Sequence, residues 1–400
     1  MHCEQKLAEG LYWIGGDDKR LGLFEASHPV PHGMSYNNYL LLDEKVVLFD
    51  TIDRAVEERF FETVDYLLDG RKIDYIIVSH MEPDHSATLG AMATMHPEAQ
   101  LVCTKICKTL IGQFFDPELA ARCMVVGDGD SIETGTHTLA FATAPMVHWP
   151  EAMMTYESTH KILFSADAFG SFGALDGAVF NDENLDPHGL HSELRRYYSN
   201  IVGKYGVPVQ QALKKLAGVK IDYICSTHGP VWHEHIARVI EAYDRMSRYD
   251  TDRGVVICYG SMYGNTERAA EMIAAAASEA GVKNIVMHDV SRENHSFIIR
   301  DIFRYKAIAL GAPTYNNEIY PPMASLLSEL AGRNLKNRFL SVFGSFTWAG
   351  QTVKKILAYN EAKMKLELVG NTVEIKQSLS EETRQQCEQL GKEIAKKLAE

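Results

Sequence analysis

SHMEPDHS, residues 79–86, is the stretch around which the predicted fold is built. It follows residues 74–78, an apolar run rich in β-branched side chains that predicts a buried strand. The stretch therefore forms the loop at the carboxyl end of that strand, where sites are usually built. Four of its side chains are potential metal ligands: His80, Glu82, Asp84 and His85. The sequence predicts a metal site directly after this strand.

The ligand types indicate which metals suit the site. Two imidazoles and two carboxylates without a thiolate favour iron, manganese or zinc over copper(I) or an iron–sulfur cluster. In an extended or turning loop His80 and Glu82 point one way and Asp84 can follow them, whereas His85 points elsewhere. One short loop can therefore serve two neighbouring metals. The alternative is a polar turn with chance histidines, and so dense a set of ligands after a strand argues against it.

Length and composition limit the class of protein. At 400 residues the chain is longer than one ordinary domain, and its net charge of −13 argues against nucleic acid as the partner. No signal peptide and no membrane-spanning apolar run is recognisable. The seven cysteines are scattered and form no C-x-x-C motif. We therefore expect reduced thiols in a cytoplasmic protein.

Three later strand-like runs also end close to a candidate ligand. Residues 138–142 lead to His148, residues 161–166 to Asp167 and residues 223–226 to His228. Taken singly, such a residue is usually a satisfied polar side chain. Taken together with residues 80–85, the three extend the predicted metal site.

This ligand pattern resembles the metallo-β-lactamase fold, which predicts an N-terminal αββα sandwich. Most hydrolases of that fold have histidine where this chain has Glu82. A carboxylate there hardens the site and shifts its preference from zinc towards iron. His-x-Glu-x-Asp-His is the pattern of the flavodiiron proteins, and the segments SYNNYLL, HWPEAM and RRYYSNIV also match that family.

The resemblance implies a role for each ligand. His80, Glu82 and His148 bind one iron, Asp84, His85 and His228 bind the other, and Asp167 bridges them. Aspartate suits a bridge because each carboxylate oxygen can hold one metal. His28, Tyr197 and Tyr198 are candidates for the iron pocket whose roles the sequence leaves open.

A second pattern begins after a polar stretch at residues 248–253, which predicts domains at residues 1–250 and 254–400. Residues 255–259 predict a buried parallel strand, and a helix is expected to begin near residue 267. The loop between them, GSMYGNT, is rich in hydroxyl and amide groups at a helix N-terminus, which favours anion binding. It lacks the Gly-Lys-Ser/Thr ending of a Walker A loop.

Two further strand-end loops carry aromatic residues between small ones. With the GSMYGNT loop they resemble the FMN site of flavodoxin, a doubly wound parallel sheet whose ligand lies at the carboxyl ends of the strands. The predicted FMN-binding residues are Ser261, Met262, Tyr263, Gly264, Asn265, Thr266, Pro313, Thr314, Tyr315, Asn316, Ser345, Phe346, Thr347, Trp348, Ala349 and Gly350.

The resemblance spans nearly the whole chain and implies an oxidoreductase. Such an enzyme reduces O2 to water, NO to N2O, or both, at a non-haem diiron site with electrons relayed through FMN. No paired C-x-x-C motif is present, so we expect a separate electron donor, a rubredoxin-like protein or a reduced coenzyme. The family also implies a head-to-tail homodimer or a dimer of dimers.

Two other functions remain open. One is a zinc hydrolase of the metallo-β-lactamase fold fused to a flavodoxin module, against which Glu82 and the FMN loops weigh. The other is a flavin electron carrier with a vestigial metal domain, against which the complete ligand set weighs.

Overall fold

The computed structural model describes residues 3–181 and 187–400, which contain both β-strands and α-helices. The chain divides into two units, Met1–Ser247 and Arg248–Glu400. Across the described residues, no helix combines the length and the apolar character that crossing a membrane requires.

The first unit contains two main β-sheets. Its strands are β1 (Gln5–Ala8), β2 (Leu11–Trp13), β3 (Gly16–Asp18), β4 (Leu23–Phe24), β5 (His28–Pro29), β6 (Met34–Tyr36), β7 (Tyr39–Leu42), β8 (Val46–Phe49), β9 (Tyr75–Ile77), β10 (Gln100–Cys103), β11 (Cys123–Val125), β12 (Ser131–Glu133), β13 (Thr138–Thr143), β14 (Met153–Glu157), β15 (Ile162–Phe164) and β16 (Tyr223–Cys225). One sheet has the order β1-β2-β7-β8-β9-β10-β11 and the other β12-β13-β14-β15-β16. β3 pairs with β6, and β4 pairs with β5, in two separate two-stranded antiparallel sheets.

Apolar residues of both sheets form one core in this unit. Tyr39, Phe49 and Ile77 of the first sheet share a buried cluster with Phe141 and Phe164 of the second. The rings of Phe49 and Phe164 stack with centroids 3.8 Å apart. The helices are α1 (Glu57–Leu68), α2 (Pro83–Ser86), α3 (Leu89–Met95), α4 (Lys105–Phe114), α5 (Pro117–Ala121), α6 (Pro187–Tyr197), α7 (Gly206–Lys215) and α8 (Ile236–Ser247).

The short helix α2 changes the course of the predicted ligand loop. Pro83 occupies its first turn, where the missing N–H costs nothing and the fixed φ suits a helix. Of the extended or turning loop that the sequence predicted, the part with Asp84 and His85 is therefore a helical turn. Their side chains therefore point in a different direction from those of His80 and Glu82, and they belong to a different group of ligands.

The second unit is a parallel sheet with helices. Its strands are β17 (Asp252–Tyr259), β18 (Ile285–Asp289), β19 (Tyr305–Tyr315), β20 (Glu318–Ile319), β21 (Phe339–Phe346), β22 (Glu367–Leu368) and β23 (Val373–Lys376), and its helices are α9 (Asn265–Glu279), α10 (His295–Arg304), α11 (Pro321–Gly332), α12 (Thr352–Tyr359) and α13 (Glu381–Ala399). The order β18-β17-β19-β21-β22, with β23 also on β21, is that of a doubly wound sheet. α9 and α13 pack closely at Gly391, where a Cβ would lie 2.5 Å from the carbonyl oxygen of Ile273.

A buried histidine pairs with two acids in the second unit. His288 contacts Glu293 Oε2 at 2.5 Å and Asp301 Oδ2 at 3.1 Å. Burial opposes its protonation, but hydrogen bonds with Asp301 and Glu293 outweigh burial and raise the pKa of His288 to about 9. A raised folded-state pKa stabilises the protein below the unfolded value and stops doing so as pH rises through about 9.

We therefore expect His288→Gln to lower the free energy of unfolding by up to about 3 kcal/mol at pH 6. The deficit relative to the unsubstituted protein should shrink between pH 7 and 10, because the unsubstituted histidine then loses its proton. Urea unfolding of both proteins, followed by circular dichroism across this pH range, measures the difference. A deficit that does not vary with pH would show that the ion pairs are not its cause.

Candidate metal centre and cofactor pocket

The predicted ligands lie in two groups within the first unit. His80, Glu82, His148 and Asp167 have ligand atoms within 4.8 Å of one another, and so do Asp84, His85 and His228. All seven predicted ligands therefore belong to one group or the other. They come from loops after β9, β13, β15 and β16 and from the helical turn α2.

The carboxylate of Asp167 lies between the groups. Its Oδ2 lies 3.0 Å from His148 Nε2 and 3.4 Å from His80 Nε2. Its Oδ1 lies 3.0 Å from His85 Nε2 and 3.7 Å from His228 Nε2. Each oxygen thus faces the imidazoles of a different group, which is the arrangement that a bridging carboxylate requires.

Hydrogen bonds at the far side of two imidazoles orient their ligand atoms. His228 Nδ1 lies 2.7 Å from the carbonyl oxygen of Ser35, which can only accept, so this nitrogen carries the proton. His80 Nδ1 lies 2.9 Å from Glu151 Oε1. Both Nε2 atoms face the cluster. Such partners fix the tautomer and ring orientation of metal-binding histidines.

Several buried ligand atoms form no hydrogen bond of adequate geometry with the described residues, although other ligand atoms of the cluster lie 3.0–3.7 Å from them. They are both carboxylate oxygens of Asp84, His85 Nε2 and His228 Nε2. Buried polar atoms normally have partners, so this concentration favours a bound cation. Neutral imidazoles with three carboxylates carry a charge that two divalent cations roughly balance, and a donor set of nitrogen and oxygen suits iron. The residues present therefore fit a pair of irons.

Electrostatic interactions within the cluster shift the pKa values of Asp167 and His85. Burial opposes ionisation of Asp167, but the imidazoles of His85, His148 and His80 outweigh it and hold its pKa well below the ordinary range. Burial likewise opposes protonation of His85, but Asp84 and Asp167 raise its pKa to about 9. The pKa values of His80 and His148 are raised as well, so metal binding must displace protons from these imidazoles.

The SYNNYLL segment holds the ligand-bearing loops in place. Asn37 Nδ2 donates to the carbonyl oxygens of Ser226 and Gly229 at 3.0 and 2.7 Å, on both sides of His228. Asn38 Nδ2 donates to Thr51 O at 2.6 Å, and the neighbouring N–H of Thr51 donates to His85 O. These asparagines act on the ligands through backbone, which explains why a segment without ligands accompanies them.

The candidates His28, Tyr197 and Tyr198 differ in their relation to the cluster. The Tyr197 ring centroid lies 5.7 Å from that of His228, and its buried hydroxyl has no hydrogen-bond partner among the described residues. Burial and then the charge of Asp167 raise the Tyr197 pKa well above its ordinary value. Tyr198 packs on Tyr243 instead. His28 is buried, with its Nε2 3.6 Å from Glu25 Oε2.

The second unit has a cavity at the carboxyl ends of β17, β19 and β21. Its lining contains most of the predicted FMN-binding residues, together with two that the sequence did not suggest: Ser261, Met262, Tyr263, Asn265, Thr266, Pro313, Thr314, Asn316, Asn317, Ser345, Phe346, Thr347, Trp348, Ala349 and Gln377. Gly264, Tyr315 and Gly350, which were predicted, are not part of this lining. Gly264 instead precedes α9 with a φ of +90°, a conformation that glycine adopts without strain.

Hydrogen bonds hold the three loops around this cavity. Ser261 Oγ accepts from the N–H of Gly264 at 3.1 Å, and the hydroxyls of Thr266 and Ser345 lie 2.8 Å apart. Thr314 Oγ1 accepts from the N–H of Gln351 at 3.0 Å. The first N–H groups of α9 lack partners within the helix and are available to an anion.

Two aromatic side chains project into solvent at this cavity. Tyr263 is 92% exposed and Trp348 is 87% exposed, so Trp348 is not a core residue. Large exposed aromatic surfaces beside a polar cavity suit a flat ring system with a charged tail. The cavity therefore fits a flavin whose phosphate lies at the N-terminus of α9.

Comparison with known proteins matches each of the two units to a family. A family model described as ODP family beta lactamase matches residues 34–229, and a flavodoxin model matches residues 257–391. The anaerobic nitric oxide reductase flavorubredoxin of Vibrio vulnificus is 34% identical over 354 residues, which is 87% of this chain and 71% of that protein. This chain belongs to the flavodiiron protein family.

Two solved structures resemble this flavodiiron protein along almost its whole length. Rubredoxin oxygen:oxidoreductase of Desulfovibrio gigas has a TM-score of 0.93 and 27% identity, with 99% of each chain covered. The flavodiiron protein of Giardia intestinalis has a TM-score of 0.93 and 28% identity, covering 99% of this chain and 97% of that one. The predicted fold class is confirmed, as are the oxidoreductase class and the cofactors FMN and two irons.

Some residues that shape the sites were missed by sequence reasoning. Glu151 accepts from the N–H of Met81 at 2.9 Å as well as contacting His80. It lies in HWPEAM, three residues after His148, and that position was its only sequence signal. Gln377 accepts from Asn265 Nδ2 through its carbonyl oxygen at 2.7 Å, and nothing in the sequence around it indicates a flavin site.

Proposed function

We propose that this flavodiiron protein reduces O2 to water, NO to N2O, or both. Its relatives include proteins named for nitric oxide reduction and for oxygen reduction, so the family supports both substrates. The observation that carries the proposal is the Asp167 carboxylate, whose two oxygens face the two ligand groups. We also propose that the seven clustered residues are the iron ligands and that the cavity-lining residues hold FMN.

The residues of the chain have separate tasks in this reaction. When bound, FMN and the iron pair supply the electrons and the Lewis acidity. His80, Glu82 and His148 hold one metal position and Asp84, His85 and His228 the other, while Asp167 keeps the two positions adjacent. The Ser35 carbonyl and the Glu151 carboxylate fix the orientation of the His228 and His80 imidazoles by hydrogen bonds at their Nδ1 atoms. The burial of the site limits water and thus the escape of partly reduced products.

Anaerobic reduction of the purified protein followed by separate additions of O2 and NO tests the proposal. We expect consumption of at least one gas, with water or N2O as the product and little peroxide. Consumption of neither gas by protein that contains both cofactors would contradict it.

The two alternative functions make different demands on the chain. Hydrolysis at a zinc site would not require the cavity at the strand ends of the second unit. Electron transfer by a simple flavin carrier would not require seven convergent metal ligands. The assignment of iron chemistry to residues 1–250 and of flavin chemistry to residues 254–400 is part of the same proposal.

We propose a head-to-tail homodimer, or a dimer of dimers, supplied by a separate electron donor such as a rubredoxin-like protein or a reduced coenzyme. In such a dimer the flavin of one subunit serves the irons of the other, and twofold symmetry gives each subunit both roles. Family resemblance supports this arrangement.

Mixing two inactive variants tests the dimer. Asp167→Ala removes the proposed bridge, and Ser261→Asp places a charge in the proposed phosphate loop. If electrons cross between subunits, refolding equal amounts of the two variants together should restore up to about a quarter of the activity, because about half of the dimers are mixed and one of the two sites in each mixed dimer is complete. No recovery, despite mixed dimers shown by mass spectrometry, would contradict transfer between subunits.

A further inference from the structure

The two proposed metal positions have the same set of donors. Each is formed by two imidazoles and one carboxylate, and Asp167 presents one oxygen to each. Equal donor sets give two metals of similar electronic character unless groups behind the ligands act on one position more than on the other. A difference between the two oxygens of the shared ligand, Asp167, would have this effect.

One oxygen of Asp167 accepts a hydrogen bond from a residue that is not a ligand. The hydroxyl of Thr227 donates to Asp167 Oδ1, the oxygen that lies 3.0 Å from His85 Nε2. A metal-bound carboxylate is ionised and can only accept, so the hydrogen of this bond belongs to Thr227. Thr227 is 4% exposed and Asp167 is 1% exposed. Water therefore has little access to the hydrogen bond.

The surroundings of the other oxygen are different. Asp167 Oδ2 lies 3.0 Å from His148 Nε2 and 3.4 Å from His80 Nε2. Both nitrogens are proposed ligand atoms, and a nitrogen that binds a metal has no hydrogen to donate. Within the described part of the chain, Thr227 is therefore the only hydrogen-bond donor to the Asp167 side chain that metal binding leaves in place.

Backbone hydrogen bonds hold Thr227 against the bridge. Its N–H donates to the carbonyl oxygen of Ala166, the residue before Asp167, at 3.0 Å, and its own carbonyl oxygen accepts from the N–H of Asn37 at 2.7 Å. These contacts connect the ends of β15 and β16 to the SYNNYLL segment. Because neither contact involves the Thr227 side chain, a substitution can remove the hydroxyl and leave both of them in place.

We propose that Thr227 is a positioning residue that makes the two oxygens of the Asp167 bridge unequal and thereby gives the two irons different reduction potentials. This inference rests on the proposed iron site. The hydrogen bond draws negative charge on Oδ1 towards the hydroxyl, so this oxygen stabilises Fe(III) less than it would without the bond. The iron held by Asp84, His85 and His228 is therefore reduced more easily. The same hydrogen bond fixes the rotation of the carboxylate.

Thr227→Val removes the hydroxyl and keeps the shape of the side chain. In a redox titration of the iron-loaded protein, followed by EPR of the half-reduced pair, we expect one of the two iron reduction steps to become about tenfold less favourable, a downward shift of about 59 mV. The other step should move clearly less. Iron affinity should fall about tenfold, because the bridge is held less firmly. Thr227→Ser keeps a hydroxyl donor and should restore both quantities.

Thr155→Val is the matched control. Thr155 belongs to the same unit and is fully buried, and its hydroxyl has no hydrogen-bond partner among the described residues. The same substitution there should leave both reduction steps and the iron affinity unchanged. Thr227→Ala also lacks the hydroxyl and adds no atoms, so it has the same expected result as Thr227→Val and replaces it if the valine variant does not fold.

Three results would overturn the proposal. They are reduction steps that stay at the unsubstituted values or shift equally in the variants without the hydroxyl, a Thr227→Ser variant that behaves like Thr227→Val, and failure of both Thr227→Val and Thr227→Ala to fold, which would show that the hydroxyl serves the fold itself. None of these measurements depends on turnover. If the unsubstituted protein consumes neither gas, the proposed function fails instead, so the two failures are distinguishable.

Discussion

Asp167→Ala is expected to abolish NO reduction and to lower iron content by about 100-fold or more at limiting metal. The substitution removes the one carboxylate whose oxygens face both ligand groups. It leaves four imidazoles beside only two acids, so metal binding loses charge balance as well as a ligand. Thr227, whose hydroxyl donates to Asp167, also loses its partner in the buried site.

The flavin of this variant should be retained, because the second unit has its own hydrophobic core. The protein should stay yellow and reducible, and its slow O2 uptake should yield hydrogen peroxide. Asp128→Ala is the matched control: Asp128 lies in the same unit but pairs with Lys215 at the surface, where an ion pair contributes little. Iron, flavin and peroxide are measured side by side. Normal turnover without peroxide in Asp167→Ala would show that Asp167 does not bridge the metals.

Ser261→Asp is expected to weaken FMN binding by about two orders of magnitude. Ser261 lines the cavity and accepts from the N–H of Gly264. Aspartate can accept the same hydrogen bond, so the loop should fold. Its charge, however, would repel a phosphate bound in this loop, and two like unit charges about 5 Å apart repel by roughly 3 kcal/mol at an effective dielectric constant of about 20.

Ser278→Asp is the control for this variant, because Ser278 lies exposed on the same helix, α9, away from the cavity. Fluorescence titration of the flavin-free proteins with FMN measures the two dissociation constants. Ser261→Asp should keep its iron and lose electron transfer from the donor. FMN affinity equal to that of Ser278→Asp would place the phosphate elsewhere.

The metal ligands could be predicted from the sequence because histidine, aspartate and glutamate residues follow the ends of predicted strands. One segment of six positions contains His80, Glu82, Asp84 and His85. These residue types indicate a metal site even before the fold is known. Their separation into two groups was not readable from spacing alone. It depends on the helical turn that begins at Pro83.

The supporting residues were not predictable, since their roles come from contacts between distant segments. Nothing in the sequence shows that Glu151 contacts His80, because the two residues are 71 positions apart and only the fold brings them within 2.9 Å. The same holds for Gln377, whose backbone carbonyl contacts Asn265.

Metal and flavin analysis of the unsubstituted protein, purified without oxygen and reconstituted with iron-57, tests the central claim most directly. We expect one FMN and two irons per chain, with a Mössbauer spectrum of a coupled pair. Stoichiometric zinc without iron, together with no bound flavin, would contradict it.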